Sequence, residues 1–279
     1  MPRPIRASIS SSALAHNLAV ARAHAGSARV WAILKANAYG HGIERAARAL
    51  AAADGFGVLD FDEAARLRSA GVRKPILMLE GCFEPADVPQ LAERALTPVV
   101  HQPAQVAMLA ALRAPSDVYL KVNSGMNRLG FGADELPGAY AALRANPRVR
   151  AITLMTHFAD ADGAAGIAEQ RSRFDAMVRP YGAAPRSLAN SAALLRFAEE
   201  TRADWVRPGI MLYGGSPFAE RSAAALGLKP AMTLRSHIIA TQRLAAGERL
   251  GYGFAFQAAQ PLTVGIVACG YADGYPRHA

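Results

Sequence analysis

Short apolar runs alternate with alanine-rich segments of helical spacing over most of the chain. Alternation of buried strands with helices predicts a parallel sheet covered by helices. The predicted strands are 30–35, 55–59, 75–79, 96–100, 118–123, 149–156, 186–188 and 205–207. The predicted helices include 43–53, 61–70, 103–113, 134–145, 166–179 and 191–200. Eight such units in about 200 residues are consistent with an α/β fold closed as a (β/α)8 barrel. A doubly wound open sheet is the alternative, and the absence of Gly-x-Gly-x-x-Gly after the first strand disfavours it.

The pattern changes after Gly215, where strand-like runs at 232–243 and 262–269 replace the helical spacing. We therefore expect two domains, a barrel over residues 1–228 and a β-rich domain over 229–279. The second is short for a self-sufficient β-domain, since three or more strands with a packed face are needed. We expect it to be an incomplete domain.

Composition narrows the class of protein without changing the fold. Hydrophobic residues make up 52% of the 279 residues and the formal net charge is +9. The basic residues are scattered rather than clustered, which argues against nucleic-acid binding. The two cysteines, Cys82 and Cys269, have no metal-ligand spacing, so we expect no metal site. No signal-peptide pattern and no apolar run approaching the ~20 residues of a membrane span is present, and we expect a cytoplasmic protein that binds no membrane.

The segment ILKANAYGHG at 33–42 carries the strongest chemical signal. Lys35 follows an apolar strand directly, and the carboxyl ends of barrel strands carry the chemistry. Its amine could form a Schiff base, and the glycines after it could let the backbone approach an anion. Judged from spacing alone, a solvated lysine at a strand end is the simpler interpretation.

Four further strand ends carry polar residues of the same kind. The fifth strand runs into KVNSGMNRLGF, which contains Lys121 and Arg128, and the sixth into His157. The seventh ends in Asn190 and Ser191, where Ser191 could cap a helix and bind a phosphate. The eighth runs into RPGIMLYG, which contains Arg207, Gly209 and Ile210. Phosphate sites of barrels often follow strands seven and eight.

Together these segments resemble those of the pyridoxal-phosphate-dependent alanine racemases over essentially the whole chain. The resemblance implies that Lys35 is the lysine that binds the pyridoxal 5'-phosphate cofactor. It assigns the phosphate to Ser191, Tyr39 and the backbone at Gly209 and Ile210, includes Asn190 among the cofactor-binding residues, and places His157 over the cofactor ring. It also implies that Arg207 faces the pyridine nitrogen. Because arginine does not give up its proton at neutral pH, the ring withdraws electrons less strongly, which favours racemisation over side reactions.

The resemblance further implies that Lys121 is carbamylated and orients Arg128, which contacts the cofactor's phenolic oxygen and the substrate carboxylate. Tyr252, in the segment LGYGF, would be a catalytic base contributed by the partner subunit. A free tyrosine has a pKa of about 10, so a Tyr252–His157–Arg207 chain would be needed to make it a base. The segment 270–277 also matches a family motif.

The implied reaction interconverts L- and D-alanine by two-base proton transfer through a pyridoxal phosphate aldimine, with Lys35 and Tyr252 as the two bases. The implied partners are L- and D-alanine and a second copy of the chain in a homodimer with shared active sites. The implied role is supply of D-alanine for peptidoglycan.

The family continues beyond a motif like 270–277, so the sequence is expected to be truncated at its C-terminus. Three alternatives stay open: a non-catalytic pyridoxal-phosphate-binding barrel, an inactive truncated racemase, and an amino-acid decarboxylase with a similar barrel. The Tyr252 segment argues against the first of these, and Arg207 with the segment 33–42 argues against the decarboxylase.

Overall fold

The eight predicted strands close into one barrel in the computed structural model, which describes residues 3–276. The strands are β1 (Arg6–Ile9), β2 (Arg29–Ile33), β3 (Gly55–Val58), β4 (Ile76–Met78), β5 (Leu96–Val100), β6 (Ser116–Lys121), β7 (Val149–Met155), β8 (Arg186–Ser187), β9 (Trp205–Val206), β10 (Met232–Arg235), β11 (Ile238–Leu244), β12 (Arg249–Leu250), β13 (Phe256–Gln257) and β14 (Leu262–Val267). Strands β2 to β9 pair in parallel in chain order, and β9 returns to β2. The predicted (β/α)8 barrel is therefore confirmed, and the open sheet is excluded.

Helices follow the strands as the spacing predicts, although most are shorter than expected. They are α1 (Ser11–Ala25), the short turn α2 (Lys35–Tyr39), α3 (Ile43–Ala49), α4 (Phe61–Ser69), α5 (Val88–Glu93), α6 (Pro103–Met108), α7 (Leu136–Ala145), α8 (Ala168–Val178) and α9 (Ser191–Arg196). Turns of 3₁₀ helix lie at Pro85–Asp87, Leu109–Ala111, Arg179–Tyr181, Ile210–Tyr213, Ala224–Leu226, Tyr252–Phe254 and Tyr271–Asp273. The predicted helices 103–113 and 166–179 end in such turns, because the last turn of a helix often tightens to satisfy its free carbonyls.

The turn α2 is left-handed. Ala36, Asn37, Ala38 and Tyr39 have φ values of 54°, 53°, 57° and 52°. For residues other than glycine this conformation costs about 1–2 kcal/mol each. Such a conformation persists only where surrounding contacts impose it.

Contacts divide the chain into two units, Ser10–Ala231 and residues 3–9 with 232–276. This differs from the domains 1–228 and 229–279 expected from the sequence, because β1 pairs antiparallel with β10 and so belongs to the β-rich unit. In that unit β11 pairs with β14 and β12 with β13. The predicted run 232–243 is broken into β10 and β11. Among the described residues no helix is long and apolar enough to cross a membrane.

The interior of the barrel is filled by a cluster of aromatic and aliphatic side chains. Trp31 stacks on Trp205 with ring centroids 4.3 Å apart, and Trp31 Nε1 donates a 2.8 Å hydrogen bond to Tyr119 Oη. Ile33, Leu77, Val99 and Met155 complete the cluster. These residues come from six of the eight barrel strands, so the cluster forms a packed floor beneath the carboxyl ends of the strands.

Replacing Trp31 with alanine should lower the free energy of unfolding by about 3–5 kcal/mol, because the side chain is only 2% exposed and its removal leaves a cavity. Urea denaturation followed by far-ultraviolet circular dichroism measures the effect. Arg113→Ala, at an exposed position, is the control and should stay within about 0.5 kcal/mol of the wild type. Equal losses of the free energy of unfolding in the two variants would contradict a stabilising role for this cluster.

Candidate active site

One cavity of about 840 Å³ collects the polar residues that follow the barrel strands. Its volume lies within the range of about 300–1,000 Å³ common for small-molecule sites. The residues singled out from the sequence that line it are Lys35, Tyr39, Lys121, Arg128, His157, Asn190, Ser191, Arg207, Gly209 and Ile210. The structure thus brings together ten of the eleven residues named from the sequence.

The left-handed turn α2 presents Lys35 and Tyr39 to this cavity. The Tyr39 ring packs against the ring of Tyr213 with centroids 4.7 Å apart. Tyr213 Oη donates a 2.8 Å hydrogen bond to the carbonyl of Ile33, the last residue of β2. Tyr213 therefore braces the turn from the neighbouring strand end, a contact that the sequence analysis missed.

Ser191 and Gly209 form a small polar recess. Ser191 Oγ accepts hydrogen bonds from the amides of Gly209 at 2.9 Å and Met211 at 3.4 Å, which leaves its own proton available to a ligand. A Cβ atom at Gly209 would lie 2.5 Å from Tyr39 Oη, so glycine at this position lets the Tyr39 hydroxyl pack close to the backbone. Asn190 caps α9 by accepting a bond from the amide of Ala193 at 2.9 Å.

Arg207 is buried and held by neutral acceptors. Its Nη1 donates to Ser187 Oγ at 2.6 Å, and its Nη2 donates to the carbonyls of Thr156 at 2.5 Å and Leu188 at 3.2 Å. Among the described residues no carboxylate lies within salt-bridge distance of it. Burial lowers the pKa of Arg207 to about 10, so the guanidinium remains a cation at neutral pH.

His157 lies against this cation, with Nδ1 3.3 Å from Arg207 Nη2. Burial and the charge of Arg207 hold the pKa of His157 well below its usual value, so its imidazole is neutral. Because arginine can only donate, Nδ1 is the acceptor and the ring proton resides on Nε2. His157 thus offers an N–H while its other nitrogen is fixed by Arg207.

Lys121 ends β6 and is 7% exposed. Burial, together with the charges of Arg207 and Arg128, lowers its pKa from 10.5 to about 8. No carboxylate of the described residues lies within salt-bridge distance of its amine. A minor fraction of Lys121 is therefore the uncharged amine at neutral pH, larger than for an ordinary lysine, and this is the form that reacts with electrophiles.

Several cavity residues were missed by the sequence analysis. His101 follows β5, whose residue Val100 pairs with Leu120, so His101 lies beside Lys121 in the strand register. Glu80 follows β4 and also lines the cavity, and its carbonyl accepts a 2.7 Å hydrogen bond from Gln105. Their position directly after predicted strands was the available signal.

Tyr252 is the eleventh residue named from the sequence. It lies in the β-rich unit, in a 3₁₀ turn, and its side chain is 99% exposed. Residues 270–276 of the motif at 270–277 are in the same unit, whereas Arg277 lies outside the described residues.

Comparison with known proteins gives the family. Residues 9–217 match the model described as alanine racemase, N-terminal domain, and residues 231–279 match alanine racemase, C-terminal domain. The chain belongs to the alanine racemase family. Members of this family are isomerases.

Relatives and solved structures of the alanine racemase family agree over almost the whole chain. The alanine racemase of Polaromonas sp. strain JS666 is 55% identical, with all of this chain and 78% of the relative covered. The biosynthetic alanine racemase of Pseudomonas aeruginosa superposes with a TM-score of 0.95 at 43% identity, covering 99% of this chain and 78% of that chain. The alanine racemase of Acinetobacter baumannii gives a TM-score of 0.93 at 36% identity, with 99% and 78% covered.

The lowered pKa of Lys121 predicts a pH-dependent stability. Between pH 8 and 10.5 the unfolded chain binds more protons at this lysine than the folded chain, so folding becomes more favourable as the pH rises. Relative to Lys121→Met, the wild type should therefore gain on the order of 2–3 kcal/mol across this window. Urea denaturation at several pH values, in buffer depleted of carbon dioxide so that the amine stays unmodified, measures the difference. A difference independent of pH would contradict the shift.

Proposed function

We propose that this protein interconverts L- and D-alanine with pyridoxal 5'-phosphate as its cofactor. The observation that carries the proposal is the convergence of Lys35, Arg207 and the Ser191–Gly209 recess on one cavity whose charged residues are mainly basic. The family membership supports the substrate, because the relatives are named alanine racemases.

The residues of the cavity fit the cofactor by their chemistry. Four basic side chains, Lys35, Lys121, Arg128 and Arg207, and two acidic ones, Glu80 and Asp162, line it, which favours an anionic ligand. The Tyr39 hydroxyl packs close to Gly209, whose amide donates to the Ser191 hydroxyl, so both hydroxyls lie beside the same stretch of backbone. Tyr39, Ser191 and Asn190, with the backbone at Gly209 and Ile210, would hold the phosphate there.

Arg207 would hold the pyridine nitrogen. The cofactor supplies an electron sink that makes the α-proton of the amino acid acidic. Because Arg207 stays protonated and its Nη atoms are bound to Ser187, Thr156 and Leu188, it offers a fixed positive charge without releasing a proton. This arrangement limits how strongly the ring withdraws electrons, which suits reversible proton exchange at one carbon.

Two bases are needed, one on each face of the α-carbon. Lys35 binds the cofactor and removes the proton of the D-isomer. Tyr252 of a second copy of the chain removes the proton of the L-isomer, with neutral His157 and cationic Arg207 behind it to stabilise its anion. The full exposure of Tyr252 supports its delivery to a partner's cavity in a homodimer with shared sites.

Lys121 is proposed to carry a carbamate. Its pKa of about 8 makes the uncharged amine more accessible than in an ordinary lysine. That amine can add carbon dioxide with release of a proton, which replaces a buried positive charge with a negative one. That carbamate would lie among cations, where it orients Arg128 toward the substrate carboxylate. The protein is proposed to act in the cytoplasm, and its proposed biological role is the supply of D-alanine for peptidoglycan.

Lys35→Ala should abolish both cofactor attachment and alanine racemisation, because no other amine is proposed to bind the cofactor. The assay incubates the purified 279-residue chain with pyridoxal phosphate and L-alanine and detects D-alanine by chiral separation. Lys74→Ala is the matched control and should racemise alanine at the wild-type rate. Racemisation of alanine by the Lys35→Ala variant would contradict the assignment of Lys35 as the cofactor lysine. If the wild type binds the cofactor at Lys35 but forms no D-alanine, the protein would be a cofactor-binding barrel without racemase activity.

Mixing two inactive variants tests the shared site. Lys35→Ala and Tyr252→Phe chains should each be inactive alone, yet a mixture should recover D-alanine formation after subunit exchange. In a mixed dimer one cavity has Lys35 from one chain and Tyr252 from the other, and is intact. If both residues served the cavity of their own chain, neither chain would hold a complete set and the mixture would stay inactive.

A further inference from the structure

The carboxylate of Glu63 lies outside the residues that line the cavity, yet it contacts the segment that presents Lys35. Glu63 is in the first turn of α4 and is 7% exposed. The helix begins at the cap Asp60, whose Oδ1 accepts the amide of Glu63 at 2.8 Å. A buried carboxylate must be satisfied by donors, so its partners indicate what it does.

Both oxygens of Glu63 bind backbone amides at neighbouring strand ends. Oε1 accepts from the amide of Asn37 at 2.7 Å, in the left-handed turn after β2. Oε2 accepts from the amide of Leu59 at 3.1 Å, directly after β3. Since β2 and β3 are adjacent in the barrel, one carboxylate ties the two strand ends together.

The bond to Asn37 falls within the strained run. Positive φ values continue from Ala36 through Tyr39, so an external contact must hold this conformation against relaxation. Helix α4 reaches the same residue a second time, because Arg66 Nη2 donates to Asn37 Oδ1 at 2.9 Å. The Arg66 side chain is exposed and also pairs with Glu44. Glu63 is buried, and its hydrogen bond to the Asn37 amide is assisted by the charge of the carboxylate.

We propose that Glu63 is a positioning residue whose carboxylate clamps the left-handed turn onto the end of β3 and so fixes Lys35 and Tyr39 in the cavity. The proposal rests on the proposed function only for the consequence that cofactor attachment depends on the clamp. The clamp itself is a property of the chain without any ligand.

Hydrogen exchange measures the clamp directly. In the full 279-residue chain without cofactor, Glu63→Ala should speed amide exchange in peptides covering residues 35–43 by about tenfold or more, the factor expected when a charge-assisted hydrogen bond is lost. Peptides that cover β6 and β7 should exchange as in the wild type. Asp62→Ala is the matched control, since it removes an exposed carboxylate from the same helical turn.

Glu63→Gln provides a second variant of the same shape. Its one carbonyl oxygen can accept only one of the two amides, so an intermediate increase in exchange is expected. If Glu63→Ala does not fold, the comparison of Glu63→Gln with the wild type decides. Exchange at wild-type rates over residues 35–43 in the folded variants would overturn the proposal.

Cofactor attachment supplies a readout that a general loss of stability would not produce. The rate at which pyridoxal phosphate becomes attached to Lys35, followed by absorbance and by borohydride reduction with peptide mass analysis, should fall about tenfold in Glu63→Ala and not in Asp62→Ala. An unchanged attachment rate in a variant with faster exchange would also overturn the positioning role. A wild type that never attaches the cofactor would refute the proposed function, while the exchange comparison would still decide the clamp.

Discussion

The cavity depends on a backbone constraint, the left-handed turn that follows the first barrel strand. Four successive residues without the freedom of glycine hold positive φ values there. The reversed hand brings Lys35 and Tyr39 to the same cavity within a span of five residues. Contacts from two sides hold the turn in this conformation. Glu63 accepts the Asn37 amide from the side of β3, and Tyr213 is bonded to the carbonyl at the end of β2. Strain of this kind is stable only on a rigid frame, and the closed barrel is that frame.

Charge is the second organising feature of the cavity. A buried arginine is ordinarily paired with an acid, yet Arg207 is held by a hydroxyl and by carbonyl oxygens. Its charge is therefore not cancelled locally and acts on its neighbours. It lowers the pKa of His157 and of Lys121, although burial is the larger cause for both. The same field that keeps His157 neutral and lowers the pKa of Lys121 favours anionic ligands.

Much of the barrel could be predicted because apolar runs and strand ends carry a local signal. All eight barrel strands were found within a few residues of their observed limits, and the strand ends revealed ten cavity residues. Strand β1 was missed because it has only four residues and most of them are exposed, and its partner β10 lies far along the chain. The contact of Glu63 with Asn37 joins residues 26 positions apart, and nothing local in α4 distinguishes Glu63 from its exposed neighbour Asp62. The assigned roles came from family resemblance rather than from spacing.

The alanines of the left-handed turn explain why its geometry was not visible in the sequence. Glycine is the usual residue at positive φ, and its absence at 36–39 argues against such a turn. Glycine there would relieve the strain but would also widen the unfolded ensemble and leave the folded turn free to move. Ala38 is fully buried, so its small side chain also fills space in the packed interior. Alanine thus makes the turn depend on its tertiary contacts. Where those contacts are intact, Lys35 and Tyr39 have few alternative positions, and preorganisation of this kind is what a cofactor site requires.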